Sequence, residues 1–124
     1  MSLLLDTNAF LWWVLDSPRL SRSARDAISA EDVLVSSVTG FEIATKRKSG
    51  KLRFDDDIVL QVANNGFRAL DVTLEHAVAA GDLPLHHRDP FDRMLVAQAH
   101  LERLIVVTSD PIFDRYDVPV LSAS

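Results

Sequence analysis

Four acidic residues, Asp6, Glu42, Asp92 and Asp110, stand in four separated segments of the chain, each beside a short apolar run or at the opening of a helical pattern. Singly, each has an ordinary explanation, because carboxylates are favoured at helix starts by capping and by the helix dipole. Asp6 can start a turn, Glu42 and Asp92 can cap, and Asp110-Pro111 can open the last helix. Together they mean something else. Four carboxylates brought to one place without a cation repel one another and raise each other's pKa, which weakens the fold. A divalent cation reverses the sign of that effect. The candidate ligands are all oxygen donors, the chain has no cysteine and no His-x-x-x-His pair occurs, so Mg²⁺ or Mn²⁺ suits the set better than Zn²⁺. Such ions take their remaining ligands from water and substrate phosphate. Phosphodiester hydrolysis is the natural chemistry: one metal lowers the pKa of a bound water, and a second, about 4 Å away, can stabilise the leaving oxygen.

Convergence requires a scaffold that delivers chain segments to a common edge. Short apolar runs followed by helical patterns recur along the sequence, the signature of βα units around a parallel sheet. Leu3-Leu-Leu5 predicts a first strand ending at Asp6, with a helix from about Asn8 to Asp16. Ser21 can cap a second helix carrying Ala24, Ala27 and Ile28. Val33-Leu-Val35 predicts a strand, and Thr39-Gly-Phe-Glu42 has the capping-box spacing at the head of a helix ending near Gly50. A further helix starts within or just after Asp55-Asp-Asp57 and ends at Asn64-Asn-Gly66, followed by a strand at Ala69-Leu-Asp-Val72 and a helix from Leu74 to Ala80. Leu104-Ile-Val-Val107 is the strongest strand signal, and Val118-Pro-Val-Leu121 suits an edge strand, where proline is tolerated. The expected architecture is a three-layer α/β/α sandwich with a mostly parallel central sheet, a single domain over residues 1–124. Open parallel sheets bind ligands outside the C-terminal ends of their strands. All four acids fall in that zone.

The stretch His87-Arg-Asp89-Pro-Phe-Asp92-Arg-Met-Leu-Val-Ala-Gln-Ala99 separates two roles for acids. Asp89 precedes a proline at the first helical position and so reads as the N-cap, its side chain occupied by its own helix. Asp92, third in the helix, lies on the stripe of Val96, Ala99 and Arg103, free to project from the sheet edge.

Composition narrows the classes. The chain has 124 residues, 48% of them hydrophobic, enough to bury one core. The absence of cysteine excludes a disulfide framework and a thiolate metal site. Neither a signal-peptide pattern nor an apolar run near the roughly 18 residues of a membrane span is present, so a soluble cytoplasmic protein is expected. The formal charge of −5 argues against a general nucleic-acid coating protein, while saying little about a local site.

The quoted segments resemble the motifs of PIN-domain proteins. Leu-Leu-Leu-Asp6-Thr-Asn8-Ala-Phe looks like their opening motif, and Phe-Glu42-Ile-Ala-Thr-Lys46 with Gly50-Lys-Leu52 like the second. The stretch from His87 to Ala99 and Val-Val-Thr108-Ser-Asp110 look like the third and fourth. Taken in order over almost the whole chain, the set is most similar to the VapC-like toxins of bacterial type II toxin–antitoxin systems. The resemblance implies a Mg²⁺- or Mn²⁺-dependent endoribonuclease whose metal-binding and catalytic carboxylates are Asp6, Glu42, Asp92 and Asp110. It also implies a VapB-like antitoxin partner and a homodimer.

Other residues carry weaker expectations. Lys46, Arg47, Lys48 and Lys51 form, with Arg53, the one concentrated basic stretch; lysines are favoured at helix C-termini in any case, and contact with the RNA backbone is the functional alternative. Ala9 to Leu15 is apolar on every side, so Trp12 and Trp13 face either a deep core or an antitoxin or dimer interface. Asn8 and Thr108 are candidates for orienting ligands or phosphate. His86 and His87 border the site, where a loop histidine is more often a hydrogen-bonding residue than a catalyst; His76 and His100 are expected to be structural or exposed. Asp55-Asp-Asp57 suits capping and solvation, since consecutive acids rarely converge on one ion. Two competing functions are disfavoured. An aspartyl phosphotransferase wants Asp-x-Asp after the first strand, where Asn8 stands, and a receiver domain wants a lysine where Thr108-Ser-Asp110 offers none. A metal-gripping RNA-binding module without turnover is the remaining alternative, although all four acidic positions are intact.

Overall fold

The computed structural model describes residues 1–124. Its strands are β1 (Ser2–Leu5), β2 (Asp32–Ser36), β3 (Arg68–Leu70), β4 (Ile105–Thr108) and β5 (Val120–Ser122). They form one sheet in the order β3-β2-β1-β4-β5, every pairing parallel. Around it stand α1 (Thr7–Val14), α2 (Arg22–Ala30), α3 (Ser37–Lys48), α4 (Ile58–Asn64), α5 (Leu74–Asp82), α6 (Pro90–Glu102) and a 3₁₀ turn at Pro111–Arg115.

Successive strand residues point to opposite faces, and here both faces are covered. Leu3, Leu5, Val33, Val35 and Val107 pack on one side with Phe10, Ile28, Ile43 and Phe54. Leu4, Leu34 and Val106 pack on the other with Leu95, Val96, Ala99 and Phe113. The unbroken Leu-Leu-Leu and Val-Val runs are therefore what a doubly covered parallel strand needs. The expected three-layer sandwich is present. Truncating a residue such as Leu5, which is fully buried, to alanine costs roughly 2–5 kcal/mol.

The caps fall largely where side-chain chemistry places them. Ser21 accepts from the Ala24 amide and Asp57 from the Leu60 amide. Gly50, at φ +79°, ends the α3 segment in the left-handed conformation that glycine adopts without strain. Two expected boundaries are corrected. Helix α3 begins at Ser37, not near Thr39, because the Ser36 hydroxyl already accepts from the Val38 amide at 3.1 Å. Thr39 is buried inside the helix, so Thr39 and Glu42 make no capping box. Glu42 sits in the second turn rather than the first. The third strand is also shorter than Ala69–Val72 suggests, ending at Leu70. Strand β5 lies at the sheet edge as expected, and Pro119 contributes only its carbonyl, accepting from the Val106 amide at 2.9 Å.

Strand order reverses between β1 and β4, which lead to opposite halves of the sheet. Crevices open at such a switch point, beyond the C-terminal ends of the strands. Asp6 follows β1 directly, and its amide extends the ladder by donating to the Val107 carbonyl at 3.1 Å. Asp110 stands just beyond the end of β4. No helix is long and apolar enough to cross a membrane.

Candidate active site

The four acids line one cleft of about 330 Å³, together with Thr7, Asn8, Lys46, Lys51 and Asp89. Each is aimed by its own local structure. Asp6 is the N-cap of α1, with Oδ1 accepting from the Ala9 amide at 2.8 Å. Its Oδ2 accepts from the Thr108 hydroxyl at 2.6 Å, and the Asp110 amide donates to that same hydroxyl oxygen at 3.0 Å. Thr108 thereby ties the end of β4 to the acid that ends β1. Thr108, expected as a candidate for orienting ligands or phosphate, thus makes a hydrogen bond to Asp6; Asn8 lines the cleft exposed, without a side-chain hydrogen bond of that kind.

Glu42 is buried and reaches the cleft from α3. Thr7 donates to its Oε1 at 2.5 Å, and Lys46, one turn later, donates to Oε2 at 2.5 Å. Asp92 comes from the first turn of α6. Its neighbour Asp89 does the capping, accepting from the Phe91 amide at 2.8 Å and the Asp92 amide at 3.2 Å. The Asp92 side chain is thus left free of its own helix and meets His87 Nε2 at 2.8 Å. Asp110 is the most exposed of the four and caps the 3₁₀ turn through the Ile112 amide at 3.0 Å. Capping and cleft-lining are therefore not exclusive: Asp6, Asp89 and Asp110 do both.

Electrostatics register the crowding. Burial pushes the Asp6 carboxyl up to about 6, against the lowering effect of the Thr108 and Ala9 hydrogen bonds, and the charges of Asp92 and Asp110 raise it further. Burial likewise pushes Asp92 up to about 6, with the His87 bond opposing and Asp89 and Glu42 adding repulsion. Lys46 is held above the usual lysine range, first by its hydrogen bond to Glu42 and then by the charges of Glu42, Asp89 and Asp92. Two desolvated carboxyls that resist ionisation, Asp6 and Asp92, are groups that a cation would stabilise as carboxylates. The donors are hard oxygens with one imidazole at the edge; ligand atoms of His87, Asp92 and Asp110 lie within 4.8 Å of one another. These residues fit a divalent metal ion.

The basic stretch divides in two. Lys46 and Lys51 line the cleft, whereas Arg47 turns away and donates to the carbonyls of Phe54 and Asp56, both at 3.1 Å. Lys48 is exposed and outside the cleft lining. Trp12 and Trp13 are half-buried against the core, with partners in the same chain. The Arg19 guanidinium sits 5.2 Å from the Trp12 ring centre, while Trp13 donates to Asn65 at 2.9 Å and tilts against Phe67. His76 is buried and completes a capping box with Thr73, and His100 is exposed. Asp55, Asp56 and Asp57 are exposed, with Asp57 as the cap.

Three residues matter more here than sequence reasoning indicated. Thr7 lies inside the Asp6-Thr7-Asn8 motif, yet its contact with Glu42 spans 35 positions. His87 was expected only to hydrogen-bond; its partner proves to be a site carboxylate. Arg93 is buried without a carboxylate partner. Its guanidinium donates to the carbonyls of Ala80, Gly81, Leu83, Pro84 and His87, at 2.8 to 3.2 Å. It binds the loop before α6 to the helix that carries Asp92.

The PIN domain family model matches residues 3–119. Ribonuclease VapC22 of Mycobacterium tuberculosis is 29% identical over 113 residues, covering 88% of this chain and 87% of the relative. Among solved structures, VapBC2 from Rickettsia felis, bound to a promoter DNA fragment, matches with a TM-score of 0.71 and 14% identity over the full length of both chains. DNA-bound VapBC from Salmonella typhimurium gives a TM-score of 0.70 at 20% identity, covering 100% of this chain and 99% of that one. These structural likenesses speak to the fold.

Proposed function

The chain belongs to the PIN-domain family, and on that premise we propose that it is a divalent-metal-dependent endoribonuclease, the toxin of a VapBC-like toxin–antitoxin pair. The observation that carries this reading is the delivery of Asp6, Glu42, Asp92 and Asp110 by four chain segments into one cleft at the switch point of the sheet. The relative named as a ribonuclease, matched along most of both chains, supports RNA as the substrate. Complexes of VapBC among the solved neighbours support a VapB-like antitoxin as partner.

Asp6, Glu42, Asp92 and Asp110 would hold Mg²⁺ or Mn²⁺, and Glu42 would do so with the oxygen that now accepts from Lys46. Bound there, a divalent ion would supply Lewis acidity toward a nucleophilic water and the substrate phosphate. The remaining work belongs to the chain. Thr108 and the Ala9 amide fix both oxygens of Asp6, and Thr7 fixes Glu42, so the carboxylates are oriented before substrate arrives. Lys46 and Lys51 face the same cleft and are placed to receive substrate phosphates. Asn8 is assigned a supporting contact to phosphate at the rim. Arg47 and Lys48 are left to long-range attraction. The exposed edges of Trp12 and Trp13 are assigned to the antitoxin or to a second copy.

Expression in bacterial cells tests the reading. Wild type should arrest growth with loss of intact RNA, and Asp92→Asn, made at equal level, should not. Equal arrest by both proteins contradicts the carboxylate site as the source of activity.

A further inference from the structure

We propose that His87 is a nitrogen ligand of the cleft's divalent cation, beside Asp92 and Asp110, and that it biases the site toward first-row transition ions such as Mn²⁺ over Mg²⁺. This rests on the metal-dependent reading above and names which ion that site prefers. Three observations carry it. First, His87 Nε2 lies 2.8 Å from Asp92 Oδ2, close to the spacing of about 3 Å between adjacent ligands at octahedral metal–ligand distances near 2.1 Å. Second, ligand atoms of His87, Asp92 and Asp110 are no more than 4.8 Å apart. Opposite ligands at such distances stand about 4.2 Å apart, and exposed Asp110 can close the difference. Third, the histidine is held in place. Its own carbonyl accepts from Arg93 Nη1 at 3.1 Å, Arg93 also donates to Leu83 and Pro84 in the adjoining loop and to Ala80 and Gly81 at the end of α5, and the Tyr116 hydroxyl donates to the Pro84 carbonyl at 3.0 Å. A buried arginine without a carboxylate partner thus holds the backbone from which that imidazole projects, and the ring itself meets Asp92.

The chemical consequence follows from donor type. Mg²⁺ is bound through oxygen and dehydrates reluctantly, gaining little from an imidazole. Affinity of nitrogen-containing sites rises along the first transition row from Mn²⁺ to Cu²⁺. Replacing one water or carboxylate with His87 therefore separates ions that an all-oxygen cleft would treat more alike. The simpler role for His87 is to orient Asp92 by a hydrogen bond, as partners of metal ligands commonly do. An orienting bond supports every ion the carboxylate binds. A ligand discriminates between them.

Pulsed electron paramagnetic resonance of Mn²⁺ bound to the full chain reads the ligand directly, and calorimetric titration with Mn²⁺ and Mg²⁺ reads the preference. Wild type should show nitrogen coupling to Mn²⁺ that is lost in His87→Ala and in His87→Gln, the latter retaining a hydrogen-bond donor for Asp92. Both variants should lose Mn²⁺ affinity about tenfold while Mg²⁺ affinity changes less than threefold. Thermal melting of the metal-free proteins checks that the variants fold. Mn²⁺ binding without nitrogen coupling, or equal loss of both ions, or full rescue by glutamine, overturns the ligand role and leaves the nuclease reading standing. Nitrogen coupling in a protein that cleaves no RNA keeps His87 as a ligand and sinks the nuclease reading instead.

Discussion

Asp6 lines the cleft while both its oxygens are held, one by the Ala9 amide and one by the Thr108 hydroxyl. Its charge nonetheless costs stability, since burial holds the carboxyl at about 6. A shift of about 2 units corresponds to about 3 kcal/mol of preference for the neutral form. Asp6→Asn keeps an acceptor for the cap while removing that charge. It should raise the metal-free stability by about 1–3 kcal/mol at pH 7.5, measured by urea unfolding in chelator, and abolish stabilisation by Mg²⁺ or Mn²⁺. Asp92 shares the raised value of about 6, which fixes the sign of a pH dependence. Between the unfolded value near 4 and the folded value near 6, the native state holds protons that the unfolded chain has released. The contribution of these two carboxyls to metal-free stability is therefore greatest below pH 4, falls as pH rises to about 6 and then levels off. Added divalent cation should offset this loss, so the gain in melting temperature from Mg²⁺ grows over the same window. A metal-free protein that becomes more stable from pH 4 to 6 would contradict the assignment of these two buried acids as the controlling groups.

At the scale of elements, helix α6 and the loop before it illustrate how one segment sets a site. Asp89→Ala removes the cap of α6 and should cost about 1 kcal/mol in denaturant unfolding, with Asp89→Asn close to wild type. Arg93→Ala removes the guanidinium from five carbonyls, of which Pro84 keeps the Tyr116 hydroxyl and Ala80 the Leu83 amide, and should cost more, about 3 kcal/mol. Arg93→Lys should recover less than half, because an ammonium lacks the planar fork that spans these acceptors. Much of this scale was legible in the sequence. Ser21, Asp57 and Asp89 cap as their residue types and following patterns indicate, and doubly covered strands announce themselves as unbroken aliphatic runs. The error at α3 is instructive: Ser36 and Thr39 both stand ahead of an apolar pattern, and local spacing favoured Thr39 because Glu42 lies three residues on. Ser36 won because β2 ends there, a fact of tertiary structure. The contacts of Thr7 with Glu42 and Thr108 with Asp6 leave no period or spacing in the sequence, since each depends on which segments the fold brings together, and the Arg93 bonds to carbonyls 6 to 13 residues earlier follow no helical or strand period either.

The whole molecule is acidic, with a formal charge of −5, and a polyanionic substrate must still approach a cleft lined by carboxylates. Lys46 and Lys51 are the cations at that cleft, while Lys48 lies outside its lining and Arg47 is committed to the backbone of the Phe54–Asp56 segment. Phosphate contacts make affinity depend on salt in proportion to their number. In chelator, where cleavage is suppressed, the Lys46→Ala, Lys51→Ala double variant should bind RNA more weakly and with a shallower salt dependence, by about one to two units of slope. Lys48→Ala should leave the slope unchanged. Equal effects at Lys48 and at the cleft lysines would mean that charge acts diffusely over the surface. The sheet order places Asp6 and Asp110 at the switch point, and α3 and α6 bring Glu42 and Asp92 to the same cleft. The most direct test of that convergence compares purified, antitoxin-free wild type with Asp92→Asn on a pool of structured RNAs, with Mg²⁺, with Mn²⁺ and with chelator. Cleavage by wild type with metal, none with chelator and none by a folded Asp92→Asn is the predicted result; cleavage by Asp92→Asn at the wild-type rate would contradict the four-carboxylate site.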